Sequence, residues 1–412
     1  MITDKQILKE TVEKTVHATP ILDMHTHLFD TNFGSLLLWG IDELVTYHYL
    51  IAETFRVAPM EYDAFWSMDK QAQADHIWEN LFIRRSPISE ACRGVLTCMQ
   101  ALGFDPAERN LGKIRDYFKT VSVEDYIDRV FQLGNIESVV MTNDTFDPQE
   151  RPVWETKFQL DSRFTAALRM DKLLVDWPAA AADLTSFGYS VGSDLSENDK
   201  KAVRGFLENE IRRMDPVYMA ASLPPDFTFP DESACSRILK ECVLPVSRET
   251  GVPLAMMIGV KKLTNPGLQV AGDSVGKANI KAIEYLCREF PENKFLVTML
   301  SRENQHELCI AARKFSNLMI FGCWWYLNNP SIINEMTRER IEVLGTSFVP
   351  QHSDARVLDQ LIYKWKHSRK ILSQILFEKY ADILDAGWSV SEEEIQRDVR
   401  HLFSENFTGF IE

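Results

Sequence analysis

The chain has 412 residues, of which 45% are hydrophobic and 25% are charged, so it is long and apolar enough to bury a substantial core. Its formal net charge of -15 argues against nucleic acid as a partner, because phosphate binding needs a basic surface. Seven scattered cysteines without a CxxC pair, a charged N-terminal helix in place of a signal peptide, and the lack of a long apolar stretch predict a cytoplasmic protein with reduced thiols and no membrane partner.

Eight apolar, β-rich runs alternate with helical stretches along the chain. They lie at residues 21–27, 137–144, 163–170, 216–223, 253–260, 294–300, 318–325 and 343–350. Several runs are continuously apolar, as in strands that are buried on both faces. The spacers, such as "ANIKAIEYLCREFP", suit helices that connect parallel strands. Eight such units predict the α/β class and, within it, a (β/α)8 barrel of the TIM type.

The first predicted strand ends in "MHTH". Side chains alternate between the two faces of a strand, so His25 and His27 should share one face with Asp23. Two imidazoles at this spacing can bind a single metal ion, but two histidines at a strand end can also simply face water. Asp23 could orient an imidazole from below, or it could be a buried carboxylate with hydrogen bonds of its own.

Two segments of the chain are not needed to form a minimal (β/α)8 barrel. About a hundred residues, 31–136, separate the first two strands, and their apolar residues recur at helical spacing. A segment that follows a barrel strand emerges on the catalytic face, so we predict a helical insertion over that face. Residues 355–412 are predicted to form C-terminal helices. No repeat or low-complexity stretch divides the chain, and residues 1–412 are expected to form a single domain.

Polar and aromatic residues cluster at the ends of the later predicted strands. They are Arg169 and Asp171 after the third strand, Arg302 after the sixth, Trp324 and Trp325 at the end of the seventh, and His352, Asp354 and Arg356 in "QHSDAR" after the eighth. In a closed barrel the last strand neighbours the first, so Asp354 can face His25 and His27. Two imidazoles, one carboxylate and open positions for substrate suit catalytic zinc or a similar divalent ion.

The sequence resembles the uronate isomerases, also called glucuronate isomerases, of the amidohydrolase superfamily. The motifs that carry the resemblance are "MHTHLF", "WGIDELVTYHYL", "WWYLNNPSIINEMTRERIEVLGT" and "QHSDARVLDQLIYKWKHSRKIL", and it extends from about residue 20 to the C-terminus. The resemblance implies His25, His27 and Asp354 as ligands of a divalent metal ion, for which the donor set suggests zinc. It also implies a substrate site made of His48, Tyr49, Arg169, Trp324, Trp325 and Arg356.

The chain departs from the superfamily pattern at two strands. The fifth strand, "AMMIGVKK", has Met257 near the place where many members have a histidine, and the fourth, "YMAASLPP", lacks a lysine that would bridge two metals. These absences favour one metal ion and weaken a hydrolase interpretation. They also leave no fifth-strand histidine for the chemistry.

The implied activity interconverts an aldose uronate and its ketose, D-glucuronate to D-fructuronate and possibly D-galacturonate to D-tagaturonate. Such a reaction moves a proton from C2 to C1 through a cis-enediol, and it needs a base, a proton shuttle and a cation. We expect Asp354 to be the base, Tyr49 the shuttle and Arg356 the cation. The α-hydroxy-carboxylate end of the substrate should chelate the metal ion, with Arg169 and His48 also binding the carboxylate and indoles against the sugar's C–H face.

Four alternatives remain open. A mononuclear metal-dependent hydrolase would use Asp354 to activate water instead of a carbon acid. A non-catalytic metal binder would usually close its site with four protein ligands. Tyr49 could be one more packed aromatic, and Arg169 could pair with Asp171 for structure alone.

One of Trp324 and Trp325 should point away from the site. A homo-oligomer is expected.

Overall fold

The computed structural model describes all 412 residues, and a parallel β-sheet lies at its centre. The strands are β1 (Ile21–Thr26), β2 (Ile136–Asp144), β3 (Phe164–Arg169), β4 (Met219–Leu223), β5 (Leu254–Ile258), β6 (Val260–Lys261), β7 (Ser274–Val275), β8 (Phe295–Met299) and β9 (Leu318–Ile320). Seven of them form the sheet in the order β1-β2-β3-β4-β5-β8-β9, and β6 and β7 pair antiparallel after β5. The predicted α/β class with a parallel sheet is confirmed.

The prediction of a strand over residues 343–350 is wrong. Its first two residues end a helix, and only Val349 pairs with a neighbour, through one bridge to Phe321. Gly345 has φ +64°, and Pro350 has no N–H to donate to a ladder, so a regular strand cannot form here. The sheet therefore has seven strands, without a continuous eight-stranded ladder. The predicted seventh strand is also shorter, since β9 ends at Ile320.

Helices connect the parallel strands, as the spacing of the apolar runs predicts. They are α9 (Glu150–Trp154), α10 (Asp171–Val175), α11 (Trp177–Ser186), α12 (Glu197–Met214), α13 (Ala234–Ile238), α14 (Leu244–Thr250), α15 (Lys281–Glu289), α16 (Gln305–Ala312) and α17 (Pro330–Leu344). The longest of these helices is α12. It begins at a capping box in which the Ser196 and Asp199 side chains each accept a hydrogen bond from the other residue's backbone N–H.

The segment between β1 and β2 is helical. Its helices are α2 (Ile41–Val45), α3 (His48–Val57), α4 (Tyr62–Trp66), α5 (Lys70–Trp78), α6 (Glu90–Ala101), α7 (Gly112–Phe118) and α8 (Val123–Gly134). The Ser89 hydroxyl caps α6 by accepting a hydrogen bond from the Cys92 N–H. No side chain caps α3, which begins at His48.

The two ends of the chain pack together. Their helices are α1 (Lys5–Ala18), α18 (Gln360–Asp385), α19 (Glu392–Arg400) and α20 (Asn406–Ile411). Arg369 on α18 donates to the carbonyl oxygens of Thr19 and Asn135, which joins α18 to the chain on either side of the first crossover. None of the helices combines the length and the apolar character that crossing a membrane requires.

Candidate active site and metal centre

The three predicted metal ligands come together at the edge where β1 ends. Nitrogen and carboxylate oxygen atoms of His25, His27 and Asp354 lie within 4.8 Å of one another. Asp354 Oδ1 is 3.3 Å from His27 Nε2 and 3.9 Å from His25 Nε2. Two backbone hydrogen bonds join the segment that carries Asp354 to the end of β1, because the Asp354 N–H donates to the His25 carbonyl and the His27 N–H donates to the Ala355 carbonyl. This three-residue group is called the ligand cluster below.

Neighbouring hydroxyl groups determine which nitrogen of His25 carries its proton. The Tyr218 hydroxyl donates to the Met24 carbonyl, and the Thr142 hydroxyl donates to the Thr26 carbonyl, both at 2.7 Å. Each hydroxyl has one hydrogen, so both oxygens can only accept from His25 Nδ1, which lies 3.0 Å and 3.4 Å away. Nδ1 therefore carries the hydrogen, and Nε2 presents its lone pair to the ligand cluster.

The chemistry of the ligand cluster fits a divalent metal ion. Burial lowers the pKa of His25 to about 3 and the pKa of His27 well below its ordinary value, so both imidazoles are neutral donors near pH 7. His25 Nε2 and Asp354 Oδ1 are buried and have no hydrogen-bond partner in the protein. Leaving such atoms unpartnered is costly unless a ligand satisfies them. Two imidazoles and one carboxylate form a donor set that suits zinc with open positions.

A cavity opens next to the ligand cluster and contains most of the predicted site. Its lining residues are His25, His27, His48, Thr142, Arg169, Asp171, Ala220, Ser222, Met257, Val260, Lys262, Trp324, Trp325, Asp354 and Arg356. Tyr49 is the one predicted site residue whose side chain does not line it. The cavity receives Met257 from β5 and no histidine from that strand, in agreement with the departure seen in the sequence.

Three cationic side chains line this cavity in an otherwise acidic protein. The Arg169 Nε donates to the Asp171 carboxylate at 2.8 Å, and the other oxygen of that carboxylate accepts from the Ser222 N–H at 2.7 Å. The ion pair between Arg169 and Asp171 therefore exists, and its guanidinium still lines the cavity. Arg356 forms no salt bridge, so its charge is available to an anionic ligand. Lys262 supplies the third positive charge.

Both tryptophans of the "WW" pair line the cavity, so the prediction that one would point away is wrong. That prediction assumed a continuing strand, but β9 has already ended and Gly322 has φ +63°. Trp325 itself has φ +47° and begins a short 3-10 turn, which removes the strand alternation of faces. The His48 ring, at the start of α3, lies 5.5 Å from the Trp325 ring.

Tyr49 lies behind His48 and against Tyr326, and its hydroxyl is buried without a hydrogen-bond partner. Burial raises the pKa of this phenol well above its ordinary value, so it stays protonated near neutral pH. Its role as a proton shuttle stays a prediction. Tyr47, which is not among the predicted site residues, is also buried with an unpartnered hydroxyl. Lys262 is not among them either, although the rule that site residues follow strands points to the charged residues after β5.

Three polar residues near the predicted site, Asp23, His352 and Arg302, do not line the cavity. The Asp23 carboxylate forms no hydrogen bond with an imidazole. It instead accepts from the Ser353 N–H at 3.0 Å and from the Trp365 Nε1–H at 2.8 Å. His352 is fully buried, with its ring 5.3 Å from the ring of His25. Arg302, in contrast, is exposed and pairs with a surface glutamate, so it lies outside the site.

Comparison with solved structures gives close and distant matches. The chain is 59% identical to the crystal structure of a uronate isomerase from Bacillus halodurans C-125, with a TM-score of 0.98, and the match covers 100% of this chain and 97% of that one. A uronate isomerase from Thermotoga maritima matches at 15% identity, a TM-score of 0.78 and full coverage of both chains. A glucuronate isomerase from Caulobacter crescentus matches at 15% identity and a TM-score of 0.76, over 99% of this chain and 94% of that one.

At 15% identity the last two comparisons establish the fold alone. Searches of protein-family models and of curated protein sequences found no match.

Proposed function

The chain belongs to the uronate isomerase family, and from this premise we propose that it interconverts an aldose uronate and the corresponding ketose. D-glucuronate and D-fructuronate are the first pair to test, and D-galacturonate and D-tagaturonate are the second. The observation that carries the proposal is the cavity itself, in which an unpartnered carboxylate oxygen of Asp354 lies beside cationic side chains. A hydrolase would use the same carboxylate on water, but the 59% identical relative is named for isomerisation.

We propose that His25, His27 and Asp354 hold one divalent ion, with zinc as the expected metal. The neutral imidazoles, the tautomer of His25 and the unpartnered atoms support this assignment. When bound, the ion supplies positive charge that offsets negative charge on substrate oxygens.

The proposed reaction moves two protons and consumes no other reagent. Asp354 takes the proton from C2, and the electron pair of that C–H bond forms the C1=C2 bond of a cis-enediol as O1 is protonated. Asp354 then gives a proton to C1, while O2 loses its proton and C2 becomes the carbonyl carbon. Tyr49 is proposed to protonate O1 and deprotonate O2, and Arg356 to face the negative oxygen.

The substrate carboxylate is proposed to bind Arg169, assisted by His48. A guanidinium forms two parallel hydrogen bonds with a carboxylate, and the bond from Arg169 to Asp171 already restricts its orientation. The indoles of Trp324 and Trp325 are proposed to pack on the sugar's C–H face. Because both rings line the cavity, they can also exclude water from the enediol.

We further propose that residues 1–412 act as one domain, with 31–136 over the catalytic face and the helices of 355–412 behind it. One apolar core includes residues from the sheet, the insertion and the C-terminal helices, and His48 of the insertion lines the cavity. The segment 349–355 is proposed to take the position of the eighth barrel strand, between β9 and β1. Seven free cysteines support a cytoplasmic location. A homo-oligomer stays a prediction.

The test follows the substrate by NMR. Metal-loaded protein is mixed with D-glucuronate or D-galacturonate deuterated at C2, and ketose formation and loss of deuterium from C2 are measured. Asp354→Asn, tested with excess metal, should slow deuterium loss by about 10²–10⁴-fold. Asp171→Asn is the matched control, because it changes a cavity carboxylate that contacts Arg169 and should act mainly on KM.

Two results would contradict the assignment. Deuterium loss at the wild-type rate in Asp354→Asn would leave that residue as a metal ligand only, and arrest in Tyr49→Phe alone would transfer the role of base to Tyr49. Hydrolysis of a lactone or amide without any isomerisation would select the hydrolase alternative.

A further inference from the structure

Asp354 has a backbone conformation that few residues of its kind adopt. Its φ is +51°, in the left-handed region, and its side chain is buried. Residues other than glycine remain in this region only where their surroundings hold them there, although aspartate tolerates it better than most. The direction of the Asp354 carboxylate therefore depends on what holds the backbone on either side of it.

The preceding residue, Ser353, is fully buried, and both of its backbone polar groups bind charged side chains. Its N–H donates to the Asp23 carboxylate at 3.0 Å, and its carbonyl oxygen accepts from the Lys364 ammonium and, in a longer bond of 3.4 Å, from the Asn328 side-chain amide. Asp23 and Lys364 are 0% and 3% exposed. The Trp365 Nε1–H donates to the second oxygen of Asp23 and orients that carboxylate.

Two buried charges at Ser353 cost more desolvation free energy than is needed to satisfy the backbone groups of one residue. Burying a carboxylate or an ammonium carries a large desolvation cost, and a neutral amide or hydroxyl can satisfy a peptide group at less cost. Asp23 and Lys364 form no direct salt bridge with each other, and each hydrogen-bonds instead to the Ser353 backbone. The two charges come from β1 and α18, so the contacts fix the segment that carries Asp354 to two separate elements.

We propose that Asp23 and Lys364 are positioning residues. Their hydrogen bonds to the Ser353 backbone hold the Asp354 carboxylate in the direction of the two imidazoles and the substrate. The proposal rests on the proposed function for its kinetic consequence, but its consequence for metal binding is independent of the reaction. Trp365 supports Asp23 in the same role.

The main test compares two buried cations on the same helix. Lys364→Met removes the ammonium that binds the Ser353 carbonyl. Arg369→Met, five residues along α18, removes a buried guanidinium that binds the carbonyls of Thr19 and Asn135, away from the cavity. Both variants should lose stability. Only Lys364→Met should lower kcat, by about 10-fold or more with KM changed less than about threefold, and Lys364→Arg should restore part of kcat.

Metal affinity gives a second measurement, which needs no substrate. Competition with a chelator for zinc should show that Lys364→Met binds about 10–100-fold more weakly, the range typical for groups that orient metal ligands, whereas Arg369→Met should bind as the wild type does. Trp365→Phe keeps a buried six-membered aromatic ring and removes the pyrrole part of the indole together with its N–H donor to Asp23. It should weaken zinc binding in the same direction, and it provides the test if Lys364→Met does not fold.

The outcomes separate this proposal from the proposed function. If the wild type isomerises no uronate, the proposed function fails, while the comparison of zinc affinities still tests the positioning role. Equal kcat and equal zinc affinity in Lys364→Met and Arg369→Met would overturn the positioning role. If Lys364→Met does not fold, wild-type zinc affinity in Trp365→Phe would overturn it.

Discussion

Replacing Gly322 with alanine should test how tightly the residues behind the ligand cluster are packed. Gly322 has φ +63°, and a Cβ at this position would lie 1.7 Å from His352 Nδ1 and 2.4 Å from its Cε1. The His352 ring is fully buried, with the rings of Phe321 and His25 at centroid distances of 5.2 Å and 5.3 Å. Since the rigid imidazole has no open space, Gly322→Ala must displace it, and the displacement should reach His25.

The expected loss of stability has two parts. Placing alanine in the left-handed region costs about 1–2 kcal/mol. Forcing extra volume into a packed core adds about 1–3 kcal/mol, for a total of about 2–5 kcal/mol. Gly345→Ala is the control for a positive φ without a clash, because Gly345 has φ +64° with ψ -127° and its Cβ would meet no atom within 4 Å. The control should show only the backbone cost, so the difference between the two variants measures the clash.

Urea unfolding of both variants gives this difference by linear extrapolation, and chelator competition gives the zinc affinity. Gly322→Ala should lose about 1–3 kcal/mol more than Gly345→Ala and bind zinc more weakly. Equal losses in the two variants, within about 0.5 kcal/mol, would show that His352 moves aside freely, and the packing argument would fail. Wild-type zinc affinity in Gly322→Ala would show that displacement of His352 does not reach His25.

Three further predictions follow from the site. Arg169→Met should raise KM for uronates about 10–150-fold in steady-state assays, because a hydrogen bond to a charged group contributes about 1.5–3 kcal/mol; equal turnover of glucose and glucuronate by the wild type would refute this. Elemental analysis should find about one divalent ion per chain, and full metal content in a His25→Ala, His27→Ala double variant would contradict the assignment. Burial raises the pKa of Glu150 from 4.5 to about 8, so the folded protein keeps a proton that the unfolded chain releases, and the contribution of Glu150 to stability should fall as pH rises between these values, opposite to the contributions of the neutral His25 and His27. In urea unfolding at several pH values, the free energy of unfolding of Glu150→Gln should rise relative to that of the wild type as pH increases, and a difference that does not change with pH would contradict the raised pKa of Glu150.

The sequence contains enough information to predict the ligand cluster. His25 and His27 end an apolar run, Asp354 follows the last one, and parallel strands bring their carboxyl ends to one edge. Arg169 and Arg356 also follow predicted strands, so the same rule places them at this edge of the sheet. For the histidines and Arg169 the prediction depends only on the order of the strands and on where each one ends. For Asp354 and Arg356 it succeeds although the eighth strand is absent, because the segment after Val349 still runs beside the end of β1.

Side-chain direction near the strand ends could not be predicted in this way. Trp325 and Asp354 both have positive φ, which depends on tertiary contacts that local sequence preferences do not encode. The same limit explains the error over residues 343–350, where an apolar run contains the end of a helix and a single bridge. Tyr47 was overlooked because nothing in "VTYHYL" distinguishes its hydroxyl from that of Tyr49.

The missing eighth strand is itself part of how the site is built. In a regular strand, ladder hydrogen bonds would fix the backbone of residues 349–355, and φ would stay negative throughout. Asp354 could not then adopt φ +51°, the conformation in which its carboxylate reaches both imidazoles. The segment instead has few backbone bonds to β9 and β1, and Asp23 and Lys364 hold it through the Ser353 backbone. Side chains from β1 and α18 thus replace ladder hydrogen bonds at the one place where a regular strand would point the carboxylate elsewhere.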